Sequence, residues 1–509
     1  MKYKVALISP DCLQDLAIQI FHSLLSGKGY DSKCLYIKRK DKDTEAVDLD
    51  TSIGLLKQIN PDLVGITVKS PYFQIVKALN EKIKKELPNV KTIWGGVHAS
   101  LLPEECIKYA DFVCIGEGEE AFLELVEKLS LGKDTHNIKN IWAREKSAVY
   151  KNPIRPLIRD LSQFPLPLLN DGNQFYISNG KFSNTFNLSE WVILSSRGCP
   201  FECSYCSNLR LKEFHKAEAL RRRSVENVIE EAVLIKSKLK DINLIVFNDD
   251  IFTFNRNWIR EFAPKYKEKV GIPFLVITHP IFVKEDIMAM LKDAGLHVVL
   301  MGIQSGSERV RTEVFNRKTT NRQIIEATEI LKKINVPFKR YDMIHDNPYE
   351  TREDKIETLN LLLQLARPYE MNFFSLIWFP KTQLTERALS EGIVTEEQIE
   401  GNCSKSLEQT RILRGYQRTE EDIYFANLYY LAITYGFPKN FVRLITNSRL
   451  IERYNVFLNA TILFVKVTKG LIFALDGFVK LCKGKGSVDK IWGGLEMLKR
   501  YLSFKRYDY

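Results

Sequence analysis

At 509 residues the chain is too long for one ordinary domain. Its 45% apolar and 27% charged content is that of a globular protein and excludes a disordered or fibrous one. Nine cysteines with a single tight cluster exclude a disulfide framework, and free thiols point to a reducing, cytoplasmic setting. The formal charge of +11 is not spread evenly along the chain.

The first 132 residues read as an open α/β domain. Short apolar runs at 4–8, 62–68, 91–94 and 111–115 predict buried strands, with helix-period stretches such as Ile20, Leu24 and Leu25 between them. This alternation implies βαβ units, a mostly parallel sheet and a Rossmann-like layout. Two strands end in glycine loops, Gly95-Gly96-Val97-His98 and Gly116-Glu117-Gly118. Glycine there allows close backbone approach to a large ligand, although a glycine pair also serves a plain tight turn. Residues 133–190 contain the proline-punctuated run RPLIRDLSQFPLPLL and are expected to be an ordered linker. From 191 to 395, strands expected at 191–196, 243–248, 274–278, 298–304, 338–344 and 373–378 suggest a partial (β/α)6 barrel of TIM type.

Just after the first of these strands, RGCPFECSYCSN sets Cys199, Cys203 and Cys206 in a C-x3-C-x2-C spacing. No fourth cysteine lies near, so a closed four-thiolate zinc cage is excluded. Three readings remain on the residues themselves. A zinc knuckle could borrow one of the seven histidines, or the three thiols could be unrelated. The third is a three-ligated [4Fe–4S] cluster with one iron left open, hence a catalytic centre. Placement at a strand end favours the cluster, because α/β folds build their sites at that rim. Cys12, Cys34, Cys106, Cys114, Cys403 and Cys482 are scattered and read as buried thiols.

The triplet with Tyr205 before its last cysteine resembles the signature of the radical S-adenosylmethionine (SAM) superfamily. Downstream, FNDDIF at 247–252, the run 278–310 ending in GIQSGSERV, PYET at 348–351 and FPKTQL at 379–384 resemble, in order, motifs of its cobalamin-binding branch. In the amino-terminal domain PDLVGI, GGVHAS, LPEE and GEGEEAF resemble the cobalamin-binding domain that precedes such barrels. The resemblance implies a [4Fe–4S] cluster on the three cysteines and SAM on its open iron. It further implies SAM contacts at Tyr205, Asp249 or Asp250, Gln304 and Ser305. Cobalamin contacts are implied at Gly95, Gly96, His98, Gly116, Glu117 and Gly118. The histidine-donating D-x-H-x-x-G of other cobalamin proteins is absent; Ser9–Gln14 carries no histidine, and His98 reads as a packing residue. The pattern also departs at Gln304, where an acid is usual, and at Asp346, Asn347, Tyr349 and Lys381, which stand where glycines are expected.

The activity implied is cleavage of SAM to a 5′-deoxyadenosyl radical for cobalamin-dependent methylation of an unactivated carbon. Radical cyclisation, rearrangement or oxidation without methyl transfer is the alternative. A methylthiotransferase would need a second set of amino-terminal cysteines at a spacing this chain lacks, and a non-catalytic protein with a vestigial cluster sits poorly with three intact cysteines. The expected partners are a small-molecule or lipid-like substrate and an external low-potential electron donor. Residues 396–509 are expected to form a basic helical domain, with 14 Lys/Arg against 5 Asp/Glu from Lys439 to Tyr509. Lysines interrupt the apolar stretch 454–475, which argues against a transmembrane helix and leaves either a solvated basic rim or peripheral contact with the inner membrane face. No nucleic-acid module accompanies the charge.

Overall fold

The computed structural model describes residues 2–10, 14–37, 42–185, 188–215, 220–403, 418–434 and 437–446. Cys12 and Cys482, the side chain of Cys403 and the basic segment 454–475 lie outside the described residues.

Seventeen strands form three sheets among these residues. The first sheet is built on β1 (Lys4–Ser9), β2 (Asp31–Ile37), β3 (Leu63–Thr67), β4 (Lys91–Gly95) and β5 (Phe112–Cys114), all mutually parallel. Successive residues of β1 face opposite sides: Ala6 and Ile8 enter one apolar core, Val5 and Leu7 the other. Helices cover both faces, which is why these strands read as unbroken apolar runs. The sequence reading missed β2, whose apolar run Cys34–Ile37 is only four residues long.

The segment expected to be a linker contributes four further strands to this sheet. They are β6 (Ile141–Glu145) and β7 (Ala148–Tyr150) on one edge, and β8 (Gln174–Ser178) and β9 (Lys181–Ser183) on the other. Its prolines lie mainly between these strand pairs, where no ladder hydrogen bond is required.

The second sheet holds six parallel strands in the order β10 (Glu190–Ile193), β13 (Leu244–Phe247), β14 (Phe274–Thr278), β15 (Leu296–Gln304), β16 (Phe338–His345) and β17 (Glu370–Ser375). This is the expected partial barrel, open between β10 and β17. Val299, Met301 and Ile303 of β15 pack outward into the helix-facing core, and Leu300, Gly302 and Gln304 alternate with them. A short antiparallel pair, β11 (Ser196–Arg197) and β12 (Arg221–Arg222), brackets the cysteine loop. The described carboxyl-terminal helices do not build a core of their own. Tyr424, Phe425, Leu428 and Leu431 of helix Glu420–Ile433 join the barrel core, and Arg352 and Lys355 hold the same helix through Glu421. No helix among the described residues is long and apolar enough to cross a membrane.

The absence of glycine at two expected positions has not changed the backbone. Asp346 and Lys381 adopt φ of 54° and 62°, the left-handed region that glycine enters freely. Gly306, in the G-S segment after β15, is required for close approach. A Cβ there would lie 2.2 Å from Thr358 Cα, and its N–H donates to Thr358 Oγ1 at 3.2 Å. Gly306→Ala should therefore destabilise the barrel by about 1–3 kcal/mol, the usual cost of overpacking, read as a lower urea midpoint.

Candidate active site between the two sheets

The cysteine loop is held from above by segments that follow β15 and β17. Ser204 donates its N–H to Phe315 O at 3.0 Å and its hydroxyl to Val314 O at 2.6 Å. Leu384 N–H returns a bond to Ser204 O at 2.9 Å. Tyr205 packs edge-on against Phe315, with ring centroids 5.0 Å apart. Cys203 is buried, while Cys199 and Cys206 are partly accessible. Burial raises the Cys199 thiol to about 11 and the Cys206 thiol to about 12, and the nearby Asp250 carboxylate pushes both the same way.

This donor set fits an iron–sulfur cluster. Each cubane iron takes one thiolate, so the ligands need not converge on one point. No group of three His, Cys, Asp or Glu side chains among the described residues is set to hold a single metal ion, so the zinc-knuckle reading gains no support there. Cys34, Cys106 and Cys114 are buried free thiols, as expected.

The two adjacent aspartates at the end of β13 are separated by the fold. Asp249 is fully buried and accepts hydrogen bonds from Ser195 Oγ at 2.8 Å, Ser195 N–H at 3.3 Å and the Ser196 hydroxyl. It ties β13 to the start of the cysteine loop. Asp250 points the other way, into a chamber it shares with Cys199 and Asn208. Burial raises its pKa while Asn208 opposes the shift through a hydrogen bond. Gln304 ends β15 at φ 73°, its amide folded back against Gly302. Ser305 is buried, accepts from Ser307 N–H at 3.2 Å and lies 3.5 Å from Glu350 Oε1.

The chamber has a volume of about 320 Å³ and lies between the sheets. One wall carries Cys199, Asn208 and Asp250 of the barrel; the other carries Gly96, Gly116 and Glu117 of the amino-terminal sheet. A second cavity of about 350 Å³, mostly apolar, shares Gly96, Gly116 and Glu117 with it and runs beneath Gly95 and Gly118. The glycines form a cradle whose backbone is packed tightly on its own supports: a Cβ on Gly96 would lie 2.9 Å from Val68 O, and one on Gly118 2.8 Å from Cys114 Sγ. Gly96, Gly116 and Gly118 leave the lining free of projecting side chains at these positions, as a large planar cofactor such as cobalamin would require. His98 lies off the chamber: it is buried, its ring tilted against Phe73 with centroids 4.6 Å apart, bonded to Ser70 Oγ at 3.0 Å and lowered by burial to about 4.

Glu117 binds protein rather than presenting a free carboxylate. Arg221 grips both its oxygens, and Arg197 lies 3.4 Å from one of them while bonding Glu119 at 2.6 Å. The sequence reading missed both arginines, as well as Arg317, His279 and Glu350. Arg317 Nη1 lies 3.8 Å from Cys203 Sγ, and its Nη2 donates to Gly302 O at 2.6 Å. His279 stacks on Phe201 at 4.2 Å and meets Thr319 Oγ1 at 3.2 Å. Glu350 lies within the quoted PYET, Arg197 opens the quoted RGCPFECSYCSN and His279 stands in the run 278–310, so these could have been found there; Arg221 and Arg317 belong to no motif.

Two family models match the chain: the radical SAM superfamily over residues 193–362 and the B12 binding domain over residues 5–126. An uncharacterized methyltransferase of Pyrococcus horikoshii is 29% identical over 346 residues, covering 67% of this chain and 72% of the relative. An anaerobic magnesium-protoporphyrin IX monomethyl ester cyclase of Rubrivivax gelatinosus is 26% identical over 321 residues, covering 60% of this chain and 54% of the relative. The fold is similar to that of the cobalamin-dependent SAM radical enzyme OxsB, solved with aqua-cobalamin and SAM bound. There the TM-score is 0.64 at 14% identity, over 98% of this chain and 79% of that one.

Burial and the carboxylates of Asp354, Asp422 and Asp346 raise Glu350 to about 8, against the pull of Lys355. An acid whose pKa is raised on folding stabilises fully below its unfolded pKa, and that stability is lost as pH climbs through the folded value. Stability should thus fall between about pH 4.5 and pH 8, and Glu350→Gln should flatten this fall in urea titrations across that range. The matched family models give the chain a radical SAM domain over residues 193–362 preceded by a B12-binding domain over residues 5–126, the pairing that marks the cobalamin-binding branch of the radical SAM superfamily.

Proposed function

We propose that this protein is a cobalamin-dependent radical SAM methyltransferase acting on an unactivated carbon of a small-molecule substrate. The observation that carries the reading is the shared chamber, in which the cysteine loop and the glycine cradle face each other across one space. A substrate held there is within reach of chemistry from both walls, and proximity of this kind is what a two-cofactor reaction needs. When bound, the cluster with SAM supplies a carbon radical and cobalamin a transferable methyl group.

The chain's own part is to bind, orient and exclude water. Cys199, Cys203 and Cys206 would hold the cluster and leave one iron open for SAM. Asp250 accepts a hydrogen bond from the SAM ammonium, while Asp249 fixes the loop that positions it. Gln304 ends β15 on the same rim as a hydrogen-bonding group for the nucleoside or carboxylate, while Ser305 is buried behind it between Ser307 and Glu350. Tyr205 anchors the cysteine loop in an apolar cluster that includes Phe315 and Trp378. A low-potential reductant must come from outside.

The name of the Pyrococcus horikoshii relative supports methyl transfer, and that of the Rubrivivax gelatinosus relative supports the rival, radical cyclisation. Products separate them. Anaerobic protein reconstituted with iron, sulfide and cobalamin should retain about four irons and one cobalamin after desalting, the stoichiometry of one cubane with one corrinoid. With reductant and SAM it should release 5′-deoxyadenosine and, as the mark of methyl supply, S-adenosylhomocysteine. Deoxyadenosine without S-adenosylhomocysteine would favour cyclisation or rearrangement. Changing Cys199, Cys203 and Cys206 together to alanine should remove the irons and abolish deoxyadenosine formation; undiminished formation would end the radical reading.

A further inference from the structure

The cysteine loop has an inner and an outer side. Cys199 lines the chamber with Asn208 and Asp250, whereas Phe201 and Cys203 stand outside the chamber lining. The cofactors and substrate of the function proposed above would fill the inner side, so a protein that delivers electrons has to meet the loop from the outer one. That outer side is aromatic. Phe201, between Cys199 and Cys203, is half-buried; its ring centroid lies 6.1 Å from that of Phe282, which lies 5.2 Å from that of Phe254. Phe254 ends the row 39% exposed, so packed rings lead from solvent to the cysteine loop. Arg317 joins the row to the loop, with its guanidinium 6.0 Å from the Phe201 ring and Nη1 3.8 Å from Cys203 Sγ. A lone exposed phenylalanine is ordinary on a protein surface; the joined row is what sets this one apart.

Cations border the row. Arg256 follows Phe254 by two residues, Lys284 follows Phe282 by two, Arg260 stands one helical turn beyond Arg256, and Lys318 is next to Arg317. All four are exposed. The carboxylates beside them are already engaged: Asp286 with Arg256, Glu285 with Lys333 at 2.6 Å and Glu202 with Lys212 at 2.7 Å. Lys284 and Lys318 form no ion pair among the described residues.

We propose that this outer face docks a small acidic one-electron carrier protein, with Phe254 and Phe282 at the centre of the contact and Arg256, Arg260, Lys284 and Lys318 as its steering rim. The inference rests on the function proposed above. An aromatic centre inside a charged rim is the anatomy of a protein–protein contact, and a transient electron-transfer contact needs less than about 1,200 Å² in total. Opposite charge brings such a partner in quickly without holding it long. In the transfer the carrier is oxidised by one electron and the cluster reduced by one; no bond forms or breaks and no proton moves.

The test is stopped-flow reduction of the reconstituted full chain, followed by bleaching of the cluster's visible absorbance. The reductants are an acidic flavodoxin, an acidic plant-type ferredoxin and photoreduced deazaflavin, which is small and uncharged. At least one carrier should reduce the wild type at a rate that falls about tenfold from about 50 to about 500 mM salt, as screening shortens the reach of the rim. Lys284→Glu combined with Lys318→Glu should slow that carrier about tenfold and Phe254→Ala several-fold, while the deazaflavin rate changes by less than about twofold. Calorimetric titration of the oxidised carrier into the full chain should show the same loss of binding. Carrier rates that ignore salt or the substitutions overturn the proposal and leave the proposed function standing. So does a parallel loss with deazaflavin, which would make these residues supports of the loop, and so does a wild type that deazaflavin reduces but neither carrier does. Should a variant lose its cluster, the salt response of the wild type and the remaining variant decide. A wild type that assembles no cluster overturns the proposed function and this inference with it.

Discussion

The chamber depends on one carboxylate. Glu117 sits at the tip of a glycine loop from the first sheet and is gripped by Arg197 and Arg221 from the strand pair that brackets the cysteine loop. Glu119 holds Arg197 from the same side. These groups are mostly out of water, so each charge is tolerated because its partner is present. Removing one partner from a pair of this kind typically costs about 3–5 kcal/mol, since it strands a buried charge. The pairs are directional as well as strong, because a guanidinium meets a carboxylate in a fixed plane. They set the separation of the two walls and hold the Gly116 loop open toward the cysteines.

The barrel rim shows the same division between positioning and exposure. Adjacent residues at a strand end point to opposite sides, so Asp249 and Asp250 cannot share a role. Asp249 goes inward, where Ser195 and Ser196 satisfy it and the base of the cysteine loop is anchored. Asp250 goes outward, into the chamber. Where family glycines are missing, Asp346 and Lys381 keep the left-handed backbone, at a cost of roughly 1–2 kcal/mol each. Asp346 offsets part of this by bonding Arg418 and Ser375, so the turn is held by side chains in place of an unhindered backbone.

Much of the fold was legible because its signals are local. Apolar runs marked the six barrel strands to within a few residues, and the spacing of Cys199, Cys203 and Cys206 marked the cluster loop before any fold was known. The strands of residues 133–190 were hidden by prolines that turned out to separate strands rather than to exclude them. Helix Glu420–Ile433 read as part of a separate domain because its apolar residues say that it is buried, but not against what.

By itself the sequence determined ten of the seventeen strands among the described residues, which loop carries three thiols and where glycine loops end two strands. These follow from periodicity, spacing and residue type within a few positions. Only the tertiary structure decided which side chains meet across long separations. Glu117 and Arg221 stand 104 residues apart, and Arg317 reaches Cys203 across 114. His215 lies on Gly116, and Asp249 rather than Asp250 is sealed away. Such pairings depend on the docking of one sheet against the other, a geometry that no short stretch of chain encodes.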